Sequence, residues 1–188
     1  MNNRLIKSND AGGGGGCTNT VDLYNPFPDG GGLALYQLNG DATDVSGNYD
    51  GTATNVTYGT GQFGQAGIFN NVGANDSNSI DTNTKSFFAQ KQTCTVSAWF
   101  KNNSSFSSTY GTIFTDYSLT SFNILIWMNS NGTIQLYNRY NSGNSTITST
   151  GTYNDNQWHH VVVWINTSNN TRQLYIDNFS IVSAAIAT

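Results

Sequence analysis

The chain has 188 residues, enough for one domain with a sizeable core and a tail. Its formal net charge is −4, only 10% of its residues are charged, and Lys and Arg form no cluster. This balance argues against nucleic-acid partners and against binding to an anionic membrane, since both need a basic surface. No apolar run approaches the roughly 20 residues of a membrane helix, so membrane insertion is not expected either.

Strand-forming and turn-forming residues dominate the composition. There is no glutamate, and Asn, Ser, Thr and Gly make up nearly half of the chain. Good helix formers are therefore scarce, whereas Thr, Val, Ile and the aromatic residues favour strands. Asn, Asp, Gly and Ser favour the turns between strands. The composition predicts an all-β protein with long polar loops.

Residues 1–32 are predicted to form an extended N-terminal arm. Five consecutive glycines cover Gly12–Gly16, and both prolines of the chain lie in Tyr24–Gly30. The first residues lack the apolar stretch of a signal peptide, so we expect no export signal. One interpretation is a plain solvated tail. The other is an assembly arm that becomes ordered on a partner protein, because large apolar side chains lie in it, among them Leu5, Ile6, Tyr24 and Phe27.

Short segments with period-two alternation recur from Leu33 onward, and no proline interrupts them. In such a segment, alternate side chains lie on the same face of a strand. Two segments each predict a strand face that points into the core. The residues are Cys94, Val96, Ala98 and Phe100 in the first segment, and Phe122, Ile124, Ile126 and Met128 in the second. Trp99 is predicted to lie on the opposite face of the first strand.

Turn signals between these segments predict hairpins. Asn129–Gly132 is a short polar link that ends in Asn-Gly, a strong hairpin signal. Later in the chain, residues 159–165 and 172–176 predict a strand pair, and Asp177-Asn178 predicts the next turn. Many short strands at this spacing indicate an antiparallel β-sandwich or jelly roll.

Five motifs then follow one another in a recognisable order: Leu35–Asn48 with the Gly-Thr strand Gly51–Ala53 after it, Gly61–Asn70, Cys94–Phe100, Asn156–Val163 and Gln173–Asn178. Together they resemble the laminin-G-like domains of the concanavalin-A-like lectin and glucanase jelly-roll family. The resemblance extends from Leu33 to about Ala185. It implies a laminin-G-like jelly-roll domain over residues 33–188, behind the arm.

The chain departs from that family pattern in two places. Many members carry a pair of neighbouring acidic residues after the second motif, whereas Asn70–Asp76 contains one Asp. The resemblance therefore gives weaker support to calcium or sugar binding at this point. Members also continue with two more strands after the segment that matches Gln173–Asn178. We therefore expect either that the chain is a fragment of a longer protein or that another chain completes the sheet.

Patterns typical of catalysis are missing. Glycosidases with a related sandwich use paired glutamates about 5 Å apart, and this chain has no glutamate and no Asp pair two residues apart on a predicted strand. His159 and His160 are adjacent on one strand, so their side chains point to opposite faces and cannot share a site. Cys17 and Cys94 cannot make a disulfide framework, and Cys94 is expected to be a buried free thiol. We expect a protein that is not an enzyme.

Four oxygen-bearing side chains lie close together in the sequence: Asp41, Asp44, Asn48 and Asp50. Calcium takes six to eight oxygen ligands and often draws them from such loops, so one interpretation is a calcium site. The favoured alternative is that these are Asx-turn residues, which shape a tight corner through hydrogen bonds to the backbone. Calcium is the only cofactor that the sequence suggests.

Carbohydrate binding requires exposed aromatic rings that stack on sugars. Five tyrosines in or beside polar loops are the candidates: Tyr110, Tyr117, Tyr137, Tyr140 and Tyr153. The four tryptophans are expected to be half-buried sandwich residues instead: Trp99, Trp127, Trp158 and Trp164.

Two functions are compatible with these observations. The first is a structural or adhesion protein of a virus particle, of the capsid-decoration or tail-fibre type found in tailed phages. Its arm would bind other virion proteins, its sandwich would present a surface to glycans or to a host, and it would form an oligomer. The second is a glycan-binding module of a bacterial cell-surface or secreted protein. Neither hypothesis identifies the sugar.

Overall fold

The structure is a computed structural model, and it describes residues 33–70, 78–82, 93–102, 110–116, 123–140, 143–166, 168–169 and 171–185. The predicted arm, residues 1–32, lies outside these ranges, so the boundary between arm and domain stays a prediction. None of the described residues forms a helix of the length and hydropathy that crossing a membrane requires.

Every regular element in the described ranges is a β-strand, which confirms the predicted all-β class. The twelve strands are β1 (Thr52–Thr54), β2 (Thr57–Thr60), β3 (Gln65–Ile68), β4 (Ser79–Asp81), β5 (Thr93–Lys101), β6 (Tyr110–Asp116), β7 (Asn123–Asn129), β8 (Thr133–Tyr140), β9 (Gly143–Thr152), β10 (Trp158–Asn166), β11 (Thr171–Ile176) and β12 (Phe179–Ala185).

Two four-stranded antiparallel sheets form the sandwich. Sheet I has the strand order β12-β11-β10-β5, and sheet II has the order β6-β7-β8-β9. The register of sheet I places His160 opposite Trp99 and Val163 opposite Val96. Two smaller antiparallel sheets pair β1 with β4 and β2 with β3. Three of the four sheets contain a hairpin, because consecutive strands pair directly.

The core lies between the inner faces of sheets I and II. Cys94 and Val96 are buried, and Ala98 and Phe100 pack against the same cluster, which confirms the predicted inner face of β5. Both sheets supply the remaining buried apolar side chains: Ile124, Ile126, Met128, Ile134, Leu136, Ile147, Val161, Val163, Ile165, Leu174 and Ile176. Each contributes about 1.5–3 kcal/mol by leaving water, so this cluster is the main source of stability. Phe122 lies outside the described residues.

Backbone conformation explains why the two predicted turns form where they do. Gly132 has a φ of 84°, and its N–H donates to the carbonyl of Asn129 over 2.9 Å in the β7–β8 turn. Asp177 and Asn178 have φ values of 52° and 70° between β11 and β12. Two successive positive φ values are typical of a type I′ hairpin turn, and Asp and Asn tolerate them well. Both predicted hairpins are confirmed.

One end of the core is polar. Arg172 on β11 is buried, and its guanidinium donates a hydrogen bond to the side-chain carbonyl of Asn138 on β8, which joins the two sheets. In the described part of the chain, Arg172 Nε and Asn138 Nδ2 have no hydrogen-bond partner. Burial lowers the pKa of Arg172, but an arginine keeps its charge in proteins.

Candidate functional site

Two of the five predicted glycan-binding tyrosines lie on the outer face of sheet II. Tyr110 begins β6 and is 56% exposed, and Tyr137 is partly exposed on β8. Tyr153 lies elsewhere: it follows β9 and packs against the core, where burial and Asp177 raise the pKa of its hydroxyl. Tyr117 and the side chain of Tyr140 lie outside the described residues.

Trp127 on β7 lies between Tyr110 and Tyr137 and joins them into one row. The Tyr110 and Trp127 ring centroids are 5.5 Å apart at an angle of 72°, and those of Trp127 and Tyr137 are 6.0 Å apart at 35°. We call these three residues the aromatic strip. It crosses three neighbouring strands, because β6, β7 and β8 are adjacent in sheet II. A row of rings along a sheet face is a surface on which sugar rings can stack.

Amide and hydroxyl groups flank the aromatic strip. Trp127 Nε1 donates to Asn129 Oδ1 over 2.9 Å, and Asn129 Nδ2 donates in turn to Thr133 Oγ1 over 3.0 Å. On β8 and β9, Gln135 Nε2 donates to Thr148 Oγ1 over 2.9 Å. These groups have further donor and acceptor capacity that sugar hydroxyls can use.

Trp127 is half-buried, as predicted, but its place in the aromatic strip was not predicted. Ile124, Ile126 and Met128 are buried on the inner face of β7. Trp127 alternates with them and therefore points outward. The β7–β8 hairpin then places Trp127 beside Gln135 and Leu125 beside Tyr137. The alternation of β7 and the position of the β7–β8 turn were therefore enough to predict that Trp127 lies near Tyr137 on the outer face.

A second group of aromatic rings lies on the outer face of sheet I. Trp99 stacks on His160 with centroids 4.8 Å apart at 19°, and Phe63 meets Trp99 edge-on at 5.5 Å. Trp99 is 43% exposed, more than the half-buried position expected for it, because it stands at the outer side of β5. Ser97 Oγ and His160 Nε2 are 2.8 Å apart, and burial lowers the pKa of His160.

His159 points to the opposite face from His160, as predicted for adjacent residues on a strand. Its Nδ1 is 2.7 Å from Asp177 Oδ2, and its Nε2 is 2.9 Å from Asp155 Oδ1. Burial alone would lower the pKa of His159. The hydrogen bonds and negative charges of Asp177 and Asp155 outweigh burial and raise it.

The four candidate calcium ligands lie in one loop, where they make hydrogen bonds to neighbouring groups. Asp44 is buried: its Oδ1 accepts from the N–H of Leu35 over 2.7 Å, and its Oδ2 accepts from Ser46 Oγ. Burial tends to raise the pKa of Asp44, but these hydrogen bonds prevail and lower it. Both oxygens of the central carboxylate therefore already have donors within the chain.

The other three candidates form turn contacts too. Asp41 Oδ1 accepts from the N–H and the hydroxyl of Thr43, Asp50 Oδ1 accepts from the N–H of Asp44, and Asn48 Nδ2 donates to Ser46 Oγ. Among the described residues, no three His, Cys, Asp or Glu side chains are grouped in a way that could hold a metal ion. This geometry fits Asx turns better than a preformed calcium cage, and calcium binding stays a prediction.

A match to a known protein family agrees with this fold. The chain is similar to the mouse laminin alpha1 chain, domains LG4-5, at 11% identity and a TM-score of 0.44, over 52% of this chain and 24% of that one. No curated protein matches the chain. Residues 73–187, more than half of the chain, match the family model for laminin-G-type members of the concanavalin A-like lectin/glucanases superfamily. The chain therefore belongs to the concanavalin A-like lectin/glucanases superfamily.

Proposed function

We propose that this protein is a non-enzymatic adhesion domain that binds glycans through the aromatic strip of sheet II. The observation that carries the proposal is the row formed by Tyr110, Trp127 and Tyr137 across three adjacent strands. Aromatic rings supply the apolar stacking surface for a sugar. The amides of Asn129 and Gln135 lie beside the rings and supply hydrogen-bonding groups.

The functional groups of the sandwich support binding rather than catalysis. The chain contains no glutamate, so the paired-glutamate chemistry of related glycosidases has no counterpart in it. His159 is held by two carboxylates, and His160 is stacked on Trp99. Ser97 and His160 form a pair, but in the described residues no carboxylate is hydrogen-bonded to the His160 ring, as an activated serine normally requires.

The setting that we propose is a virus particle, as a capsid-decoration or tail-fibre protein that works as an oligomer. The apolar residues of the glycine- and proline-containing arm support this setting, because such a segment gains stability by binding a partner. The sandwich would then face outward and present the aromatic strip to host-surface glycans.

A glycan array tests the binding function. The natural chain is expected to retain a defined set of glycans. Tyr137→Ala and Tyr110→Ala are each expected to weaken retention by about tenfold, or about 1.4 kcal/mol. Trp99→Ala is the matched control, since it removes a comparably exposed ring from the outer face of sheet I. Equal losses in all three variants, or no retained glycan at all, would contradict the proposed site.

The same aromatic strip would serve a cell-surface or secreted bacterial protein equally well. The two settings differ in where the protein is found. Mass spectrometry of purified particles is expected to detect this chain at a stoichiometry of many copies per particle. Its absence from particles, together with its presence in a cell-envelope fraction, would favour the bacterial setting.

A further inference from the structure

The protonation state of His159 determines how many hydrogen bonds hold the loop between β9 and β10. Each ring nitrogen of His159 faces a carboxylate oxygen, Nδ1 that of Asp177 and Nε2 that of Asp155. Only the imidazolium can donate at both nitrogens, because the neutral ring carries one N–H. When His159 loses its proton, one of the two hydrogen bonds is lost.

The bond to Asp155 is the one that breaks. Asp177 is fixed in its turn, since its Oδ1 accepts from the N–H of His160 over 2.9 Å and its own N–H donates to the carbonyl of His160 over 3.0 Å. The side chain of Asp155 is 55% exposed and lies in the loop. Water can replace the imidazole at Asp155, so the neutral ring keeps its proton on the side of Asp177.

Few titratable groups face the His159 ring. Among the described residues, the loop supplies Asp155, the β11–β12 turn supplies Asp177, and the end of β9 supplies Tyr153, whose ring centroid is 5.0 Å away. Strand β5 supplies the uncharged ring of Phe100 at 5.7 Å. The two carboxylates outweigh burial and raise the pKa of His159 above its ordinary value of 6.5. Tyr153 stays neutral, because its ordinary pKa is already 10.0 and burial raises it further.

The loop that carries Asp155 packs on the β7–β8 turn. The N–H of Tyr153 donates to the carbonyl of Gly132 over 2.8 Å. Asn154 Oδ1 lies so close to Gly132 that a Cβ at this glycine would overlap it. The same turn contains Asn129, whose side-chain oxygen accepts from Trp127 Nε1. A continuous series of contacts therefore leads from His159 to the central ring of the aromatic strip.

We propose that His159 is a positioning residue that couples its own protonation to the aromatic strip. The imidazolium holds the Asp155 loop against the β7–β8 turn, and loss of the proton loosens the loop, the turn and the hydrogen bond of Trp127. This inference rests on the proposed glycan-binding function and adds its regulation. Glycan affinity is expected to fall by about fivefold as the pH rises through the titration of His159, which is the lower end of typical coupling between sites.

The first test uses nuclear magnetic resonance of the full chain without glycan, and the second measures glycan retention at about pH 5 and about pH 8. The indole N–H signal of Trp127, assigned with a Trp127→Phe variant, is followed from about pH 5 to about pH 8. It is expected to shift with the same midpoint as the ring signals of His159. In His159→Gln the shift is expected to disappear. In His160→Gln, the control with a change on the opposite face, the shift is expected to remain.

A second variant guards against misfolding of His159→Gln. Asp155→Ala removes the exposed acceptor of His159 Nε2 and leaves the bond to Asp177, so the Trp127 signal of this variant is expected to stay at the high-pH position throughout. A Trp127 signal that is constant in the natural chain, or that shifts equally in His159→Gln, would overturn the inference. Equal glycan retention at both ends of the pH range would overturn it too, while leaving the proposed function intact. If no glycan is retained at either pH, the proposed function fails, and the Trp127 signal alone decides the coupling.

Discussion

Phe100 and Lys101 are neighbours on β5 with opposite surroundings. Phe100 packs against the core and is partly buried, whereas Lys101 is exposed. Phe100→Ala is therefore expected to lower the free energy of unfolding by about 3 kcal/mol, and Lys101→Ala to change it by less than about 0.5 kcal/mol. Urea denaturation followed by tryptophan fluorescence measures both values. Similar losses in the two variants would show that the faces of β5 are assigned wrongly.

His159 makes the stability of the sandwich depend on pH. Its pKa is raised in the folded state, so its contribution is fully present below the ordinary histidine pKa of about 6.5 and is lost as the pH rises through the raised value. The melting temperature of the natural chain is expected to fall by about 3 °C more than that of His159→Gln over this interval. Calorimetry at several pH values measures the difference, and parallel curves for the two proteins would refute the prediction.

Arg172 and Asn138 form a buried polar pair whose members depend on each other. Asn138→Leu leaves the buried guanidinium without its acceptor and is expected to cost about 3–5 kcal/mol. Arg172→Met leaves the Asn138 amide without its donor and is expected to cost about 1–3 kcal/mol. The double variant is expected to recover most of the loss, because an apolar pair of similar volume needs no partners.

Equilibrium unfolding of all four proteins in this cycle gives the coupling energy directly. Additive losses in the double variant would mean that the contact between Arg172 and Asn138 contributes nothing of its own. The strand face of Arg172 is easier to predict than its burial. Alternation places Arg172 on the same face as Leu174 and Ile176. Charged residues are nearly always exposed, however, so a buried arginine is not expected from sequence unless its partner is known.

At the scale of the elements, the loop from Asp41 to Asp50 is organised around one buried carboxylate. Asp44 accepts hydrogen bonds from Leu35 and Ser46, so Asp44→Ala leaves the partly buried N–H of Leu35 without its acceptor. The expected loss of stability is about 1–3 kcal/mol. Asp41→Ala, a change at an exposed position of the same loop, is expected to have little effect. Thermal unfolding of both variants checks this, and a larger loss for Asp41→Ala would contradict the hydrogen-bond assignment.

The same proteins test the calcium prediction. If Asp41, Asp44, Asn48 and Asp50 bind calcium, added calcium raises the melting temperature of the natural chain with its concentration, and a chelator reverses the rise. The Asp44→Ala variant would then show a much smaller response. A melting temperature that is independent of calcium and chelator in every variant would leave turn formation as the role of these residues.

Strand faces and turns were predictable because they depend on local rules. Apolar alternation identified the inner faces of β5 and β7, and Asn-Gly and Asp-Asn identified two turns. The aromatic strip was only half predictable. Tyr110 and Tyr137 were candidates from the sequence, but their approach to Trp127 depends on which strands are neighbours in sheet II. Strand order is a non-local property that alternation does not encode.

At the scale of the whole molecule, the two outer sheet faces offer different surfaces. Sheet II presents aromatic rings with amides and hydroxyls beside them, and sheet I presents Trp99 stacked on the ring of His160 with Phe63 at its edge. A ligand bound to one outer face would therefore leave the other face free. That separation makes variants of the outer face of sheet I, such as Trp99→Ala and His160→Gln, suitable controls for binding experiments on sheet II.

The last prediction concerns residues 1–32 as an assembly arm. Leu5, Ile6, Tyr24 and Phe27 lie in a segment that glycine and proline interrupt, so these side chains cannot form a core of their own. Burial against a partner removes their apolar surface from water, which contributes a free energy of about 25 cal/mol per Å². The entropy lost when the glycines become ordered reduces this gain.

Deleting residues 1–30 is therefore expected to leave a soluble β-domain with an unchanged circular dichroism spectrum. The same deletion is expected to abolish incorporation into particles or oligomers, measured by co-sedimentation. Replacing all four of these residues by Ser in the full-length chain is the matched variant, because it keeps the length of the arm. Full assembly of the deleted or the replaced protein would show that the arm is only a tail.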